Sequence, residues 1–213
     1  MNVTLDVTYK IIRYILLSKN REFTQSEIHN NTDSSLGRIN EVVQWLLSRN
    51  FVEKTKGKYY VLNPSGILSL FPLYRTMNDL CVYSIQLRGD KDKILENLPK
   101  ESVLCLDSAL DHYSKYFRSD RICMYHKNPD LVKNKFEPYS GGIIKLKIYK
   151  PDMRLSEDKK NGITSKLRTI IDMTCDGKTY VAKDLFEDLW GIKFGYFRFG
   201  FLSNGAMNQV EIA

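Results

Sequence analysis

No stretch of the chain stays apolar long enough to cross a membrane. Its longest apolar runs, such as "YILL" and "GILSLF", fall far short of the roughly 20 residues a spanning helix needs. The N-terminus also lacks a basic region followed by a long apolar core. A cytoplasmic protein with no membrane partner is expected. Cysteine is sparse and poorly spaced for metal: Cys81, Cys105, Cys123 and Cys175 form no C-x-x-C pair. A zinc knuckle or redox motif therefore has little support, and free, partly buried thiols are expected instead. Histidine is scarcer still, and His29 and His126 stand alone. No G-x-S-x-G, phosphate loop or dinucleotide fingerprint is present, and "SGG" at 140–142 reads as a turn before a strand. No cofactor and no metal are expected. Low-complexity tracts and internal repeats are missing too, which argues against disorder.

What is there is an ordinary globular composition, 43% hydrophobic and 27% charged. A length of 213 residues leaves room for two domains, each with its own core. The net charge of +7 suits a polyanionic partner, and its distribution is uneven. Residues 1–75 hold ten Lys or Arg against six Asp or Glu, a net of +4, while the remaining 138 residues contribute only +3.

That basic third has the pattern of a helix-turn-helix. In "LDVTYKIIRYILLSKN", Val7, Ile11, Tyr14, Ile15 and Leu16 recur at helical spacing, with Asp6 as N-cap. Thr24 with Glu27 has capping-box spacing and opens a short second helix whose inward contact is Ile28. The tetrad Asn30-Asn31-Thr32-Asp33 then breaks the chain, because these side chains compete for local backbone. A third helix follows from about Ser34, with Leu36, Ile39, Val43, Leu46 and Leu47 facing inward. Ser34, Ser35, Arg38, Asn40, Glu41 and Gln44 face elsewhere. Arg38 can address guanine with two donors, Asn40 and Gln44 can pair with adenine, and the serines can contact phosphate.

Beyond it, "FVEK" and "KYYVL" read as two strands joined through Thr55-Lys56-Gly57. Three helices and a hairpin make a winged helix over residues 1–63. Lys54, Lys56 and Lys58 cluster at its turn, where they can follow a phosphate backbone. Tyr59 and Tyr60 fall on opposite faces of a strand, and at least one should pack into the core. The DNA-binding residues expected from sequence are thus Ser34, Ser35, Arg38, Asn40, Glu41, Gln44, Lys54, Lys56 and Lys58. The competing account is a winged helix used for protein contact, with a merely hydrated third helix.

Residues 64–78 read as a connecting helix whose Ile67, Leu68, Phe71 and Leu73 bury on the winged domain or against a second copy; Pro72 ends or bends it. A homodimer would set two recognition helices roughly 34 Å apart. In residues 79–213, "LCVYSIQL", "RICMYH" and "GGIIKLKIYK" read as strands. "DKDKILENL", "SVLCLDSALDHYSKYF", "SKLRTIIDMTC" and "KDLFEDLW" read as helices. Irregular interleaving of the two makes this domain, and the chain, α+β. "FGYFRFGF" at 194–201 reads as a closing strand, or else a dimer or partner contact, followed by a polar tail.

The order of winged helix, "SAL" at 108–110 with Tyr113, a strand ending in "IYK", and then "GITSKLRTIIDM" resembles the AbiEi antitoxin family. A family segment like Thr-Ser-Pro-Glu-Arg-Thr-Leu-Leu-Asp is matched at Thr164, Ser165, Arg168, Thr169, Ile170, Ile171 and Asp172, with Lys166 and Leu167 in place of proline and glutamate. The resemblance implies a repressor that binds its own promoter. It also implies a C-terminal domain of nucleotidyltransferase-like topology without catalysis, and a toxin protein as partner.

The enzyme alternative rests on Asp90 and Asp92, an Asp-x-Asp pair after a strand. The usual upstream Gly-Ser is missing, and a helix start explains both aspartates. Asp107, Asp111 and His112 share one helix and read as a solvated face. Arg168 and Asp172 read as an intrahelical pair, worth about 0.3 kcal/mol if exposed. The function expected from sequence is a DNA-binding repressor rather than an enzyme, with a nucleotidyltransferase-like enzyme or a protein-interaction adaptor as alternatives.

Overall fold

A computed structural model describes residues 1–192. The aromatic segment at 194–201 and the polar tail lie outside the described residues. The chain begins with helix α1 (Asp6–Leu17), strand β1 (Glu22–Phe23), helices α2 (Gln25–Thr32) and α3 (Leu36–Ser48), and strands β2 (Val52–Thr55) and β3 (Lys58–Val61). The three strands form an antiparallel sheet in the order β1-β3-β2. Val52 and Val61 face each other across the hairpin, and so do Thr55 and Lys58, leaving Lys56 and Gly57 as a two-residue turn. Both turn residues have positive φ, 50° and 84°, the geometry that matches the twist of a tight hairpin.

Several expected local details shift. Leu5, not Asp6, precedes α1, and no side chain caps that end. The buried stripe of α1 runs through Tyr9, Ile11, Ile12, Ile15 and Leu16, while Val7 is exposed. The capping box of Thr24 and Glu27 is formed in both directions. Asn30, Asn31 and Thr32 continue α2, and only Asp33, in the left-handed region, stops it. Ser35 caps α3, so that helix starts at Leu36, whose side chain is 52% exposed rather than inward. Val42 takes the inward place instead. The connecting helix is broken into α4 (Pro64–Leu68), a 3-10 turn (Phe71–Leu73) and α5 (Met77–Leu80). Ile67, Leu68 and Phe71 are buried within the chain, whereas Leu73 is exposed.

The remaining elements are β4 (Cys81–Leu87), α6 (Lys91–Glu96), β5 (Val103–Leu104), α7 (Leu106–Tyr113), β6 (Arg121–Tyr125), α8 (Pro129–Lys133), β7 (Ile144–Tyr149), β8 (Lys159–Lys160), β9 (Ile163–Thr164), α9 (Lys166–Cys175) and α10 (Lys183–Trp190). Residues 103 and 104, expected as helix, are a strand that enters the sheet between β6 and β9. The six strands lie in the order β4-β7-β6-β5-β9-β8, with β6 parallel to β7, β5 parallel to β9, and the other neighbours antiparallel. The class is α+β.

Strand alternation divides this sheet into two cores. Ile122 and Met124 of β6 join Ile85, Leu146 and Ile148, with Ile94 of α6 and Val132 of α8. Cys123 and Tyr125 face the other way, into a cluster with Leu106 and Leu110 of α7 and Leu167 and Ile171 of α9. That second cluster is continuous with the apolar residues of α1, α2 and α3. The indole N–H of Trp190 donates to the Leu16 carbonyl at 2.9 Å, tying α10 to the end of α1. Cys105, Cys123 and Cys175 are buried free thiols and Cys81 is half-buried. Burial, helped by the nearby Asp107 carboxylate, pushes the Cys123 thiol up to about 12. Among the described residues, no helix is long and apolar enough to cross a membrane.

Candidate nucleic-acid interface

Helix α3 buries Ile39, Val42, Val43 and Leu46 and turns Gly37, Asn40, Glu41 and Gln44 outward. Three amides meet on that outer face. The Asn40 carbonyl oxygen accepts from Gln25 Nε2 at 3.1 Å and from Gln44 Nε2 at 3.5 Å. Gln25 also donates to the Tyr59 hydroxyl at 3.3 Å, which joins the start of α2 to the hairpin. Tyr59 is packed, stacked on Phe23 with 5.5 Å between ring centroids, and Lys54 Nζ sits 5.4 Å from its ring centre. Gln25, Asn40, Gln44 and Lys54 thus form one continuous polar surface. Amides carry a donor and an acceptor each, the combination that pairs with an adenine edge.

Sequence reasoning missed Gln25. Its signal was its position just after the Thr24 cap, where α2 begins close to the α3 surface. Gly37 belongs to the same surface, and a Cβ placed there would meet nothing within 4 Å.

The other expected residues are placed differently. Ser34 is buried: its hydroxyl accepts from Thr32 Oγ1 at 3.0 Å, and its carbonyl meets His29 Nδ1 at 2.8 Å. It therefore leaves the candidate surface. Ser35 is exposed, but its hydroxyl accepts from the Arg38 N–H as the cap of α3. Arg38 does not point freely outward. Its guanidinium donates to Thr8 Oγ1 and to Glu41, both at 2.6 Å, and so fastens α3 to α1. Lys58 forms an ion pair with Glu22 of β1. Hydrogen bonding to Lys58 holds the Glu22 carboxyl below its ordinary range, and the same bond raises Lys58. Lys56 stands at the turn and Lys54 beside Tyr59, so the hairpin shows less net charge than three lysines would give.

A second constellation lies at the junction of α1, the 70s segment and α9. Arg75 donates to Asp152 at 2.7 Å, to Asp172 at 2.8 Å and to the Tyr125 hydroxyl at 2.6 Å. Arg168, fully buried, donates to Asp172 at 3.0 Å, to Tyr125 at 3.2 Å and to Asp152. The pair expected to be a minor surface contact is instead the centre of a buried network. Burial alone would raise Asp152, but Arg168 and Arg75 outweigh it and hold the carboxyl below its usual range. Next to it, Tyr9 and Arg13 of α1 both donate to Asp158. Two arginines face two aspartates at the centre, an arrangement suited to holding elements together.

Of the acidic residues weighed for chemistry, Asp90, Asp107 and Asp111 have structural partners, and Asp92 is exposed in the first turn of α6. Asp90 caps α6, accepting from the N–H groups of Asp92 and Lys93 at 3.0 and 3.1 Å. Asp107 is buried rather than solvated, with its carboxylate 3.8 Å from Cys123 Sγ. Asp111 pairs with Lys91 and Arg118. His126 is buried between the carbonyls of Asn128 and Lys100. Among the described residues, no group of three or more His, Cys, Asp or Glu side chains is placed to hold a metal. No protein-family model, curated protein or solved structure matches the chain.

Proposed function

We propose that residues 1–63 are a winged helix-turn-helix that reads double-stranded DNA, and that the chain is a sequence-specific transcriptional repressor. The observation that carries this reading is the exposed amide face of α3, Asn40 and Gln44 joined by Gln25, beside a tight hairpin with Lys56 at its turn. The order of helices and strands, with β2 and β3 as the wing, supports it. Base reading passes from Arg38, which is engaged within the protein, to Asn40, Gln44 and Gln25, while Lys54 and Lys56 supply phosphate contacts. Glu41, although engaged by Arg38 through one carboxylate oxygen, keeps a second oxygen that can accept from a cytosine amino group.

This reading requires no chemistry from residues 79–213. The use of Asp90 as a helix cap supports a non-catalytic second domain; its nucleotidyltransferase-like topology rests on the family resemblance alone. The AbiEi-type antitoxin role, with autoregulation and a toxin protein as partner, is the finer part of the proposal and rests on the segment 164–172. The expected homodimer loses the apolar helix that was to carry it, because Ile67, Leu68 and Phe71 bury within one chain. A nuclease footprint on the DNA upstream of the coding sequence tests the repressor reading. Protection of a discrete site is expected, and uniform cleavage at saturating protein would refute it. Co-expression with the product of the adjacent gene tests the antitoxin role: relief of growth arrest is expected, and unrelieved toxicity would oppose it.

A further inference from the structure

A different surface, in the six-stranded sheet, takes no part in the DNA reading proposed above. We propose that the face of this sheet over β4 and β7, open among the described residues, docks an acidic, amphipathic segment of a partner protein. Strand alternation places Gln86 of β4, Lys145 and Lys147 of β7 and Arg121 of β6 on one side, opposite the Ile85–Leu146–Ile148 core. Gln86 and Arg121 flank Lys145 in register, one on each neighbouring strand. Gln86 and Lys145 are exposed, and Lys147 is half-buried.

Two like charges directly opposite across strands destabilise a sheet. Here Arg121 faces Lys145, with Lys147 two residues along the same strand. Among the described residues, neither lysine is in an ion pair, while Arg121 forms a long one with Asp107 at 3.9 Å. Removal of this repulsion by an anionic ligand would stabilise the face.

Apolar groups at one end decide the class of ligand. Ile143, immediately before β7, is 80% exposed. Tyr139, also exposed, is tethered beside it through its N–H to the Gln86 carbonyl at 2.9 Å. Exposed aliphatic and aromatic surface next to cations contributes little to a phosphate backbone but matches a protein segment bearing both carboxylates and apolar side chains. Residues 193–213 of the chain carry Lys193 and Arg198 against Glu211, the wrong sign of charge for this face. A second copy of a chain with net charge +7 is likewise a poor complement.

The test is a fluorescence titration of the full chain with a labelled peptide of alternating leucine and glutamate, at low salt. A serine–glutamate peptide of equal charge and a scrambled DNA duplex serve as comparison probes. Binding of the leucine peptide is expected, about tenfold weaker in the Lys145→Glu, Lys147→Glu variant and several-fold weaker in Ile143→Ser. The serine peptide should bind less tightly, and Asn40→Ala should change nothing, so this proposal and the DNA reading can fail separately. The milder Lys145→Gln, Lys147→Gln variant should fall between, with a melting temperature no lower than that of the wild type. No binding, binding indifferent to the lysine changes, or full competition by the duplex would overturn the proposal.

Discussion

On the proposed function, Glu22 sets how much positive charge the hairpin offers to DNA. Its carboxylate engages Lys58, so the pair presents almost no net charge at the proposed backbone contact. Glu22→Gln should release Lys58, tighten DNA binding and steepen the salt dependence by about one unit in the log–log slope. A slope unchanged or flattened would show that Lys58 lies away from the phosphates. Arg168 illustrates the opposite case, a charge whose role is internal. Truncation to alanine leaves Asp172 buried without its intrahelical donor, so Arg168→Ala should lose about 3–5 kcal/mol of stability by urea denaturation. A loss below about 1 kcal/mol, the range of an exposed pair, would contradict the buried network. The Arg168–Asp172 pair was legible from its spacing, though not its burial. Glu22 and Arg75 were not singled out, because Glu22 lies 36 residues from Lys58 and Arg75 lies 97 residues from Asp172.

At the scale of the element, α3 combines a weak helix former with an open surface. Gly37 lies in its first turn and touches nothing, so Gly37→Ala should raise thermal stability by about 0.5–1 kcal/mol. If the outer face of α3 lies against DNA, the added methyl should weaken DNA binding at the same time. Greater stability with unaltered DNA binding would mean that this turn stays clear of the duplex. The helices and the hairpin around α3 were readable from apolar spacing, from the Thr24–Glu27 capping box and from glycine at the turn. Phase was harder to read: with Leu36 counted inward, Val42 was missed, because an apolar residue in the first helical turn can remain in solvent without a local penalty. The two-residue strands β5, β8 and β9 have no periodicity to detect and exist only through their neighbours. The segment 164–172, singled out in the sequence, has a structural role. Ser165 caps α9, Thr164 bonds Thr169 at 2.9 Å, and Arg168 and Asp172 enter the core network.

On the scale of the whole molecule, α1 belongs to two structures. One side of it packs with α2 and α3, while Tyr9 and Arg13 engage Asp158 and the Leu16 carbonyl accepts from Trp190. The α3 platform is therefore anchored to the larger sheet domain through charged and polar bonds as well as apolar packing. Acid sensitivity enters through the neighbouring network, in which Arg75 and Arg168 hold Asp152. Because the folded-state pKa of Asp152 is lowered, its contribution is present above the unfolded value and is lost as pH falls through the folded one. Stability should drop below about pH 4, and the drop should be smaller in Asp152→Asn. Equal acid sensitivity in both proteins would assign the effect to other carboxylates.

On the proposed function, the amide face of α3 reads DNA sequence. That reading is tested most directly by fluorescence-anisotropy titration of the full chain against its own upstream DNA and a scrambled duplex at two salt concentrations, with Asn40→Ala/Gln44→Ala alongside. A preference above about 100-fold for the upstream DNA, abolished in the double variant while weak salt-dependent binding survives, is the predicted result. Equal, weak binding of both duplexes by the wild-type protein, or a preference that persists in the variant, would contradict it.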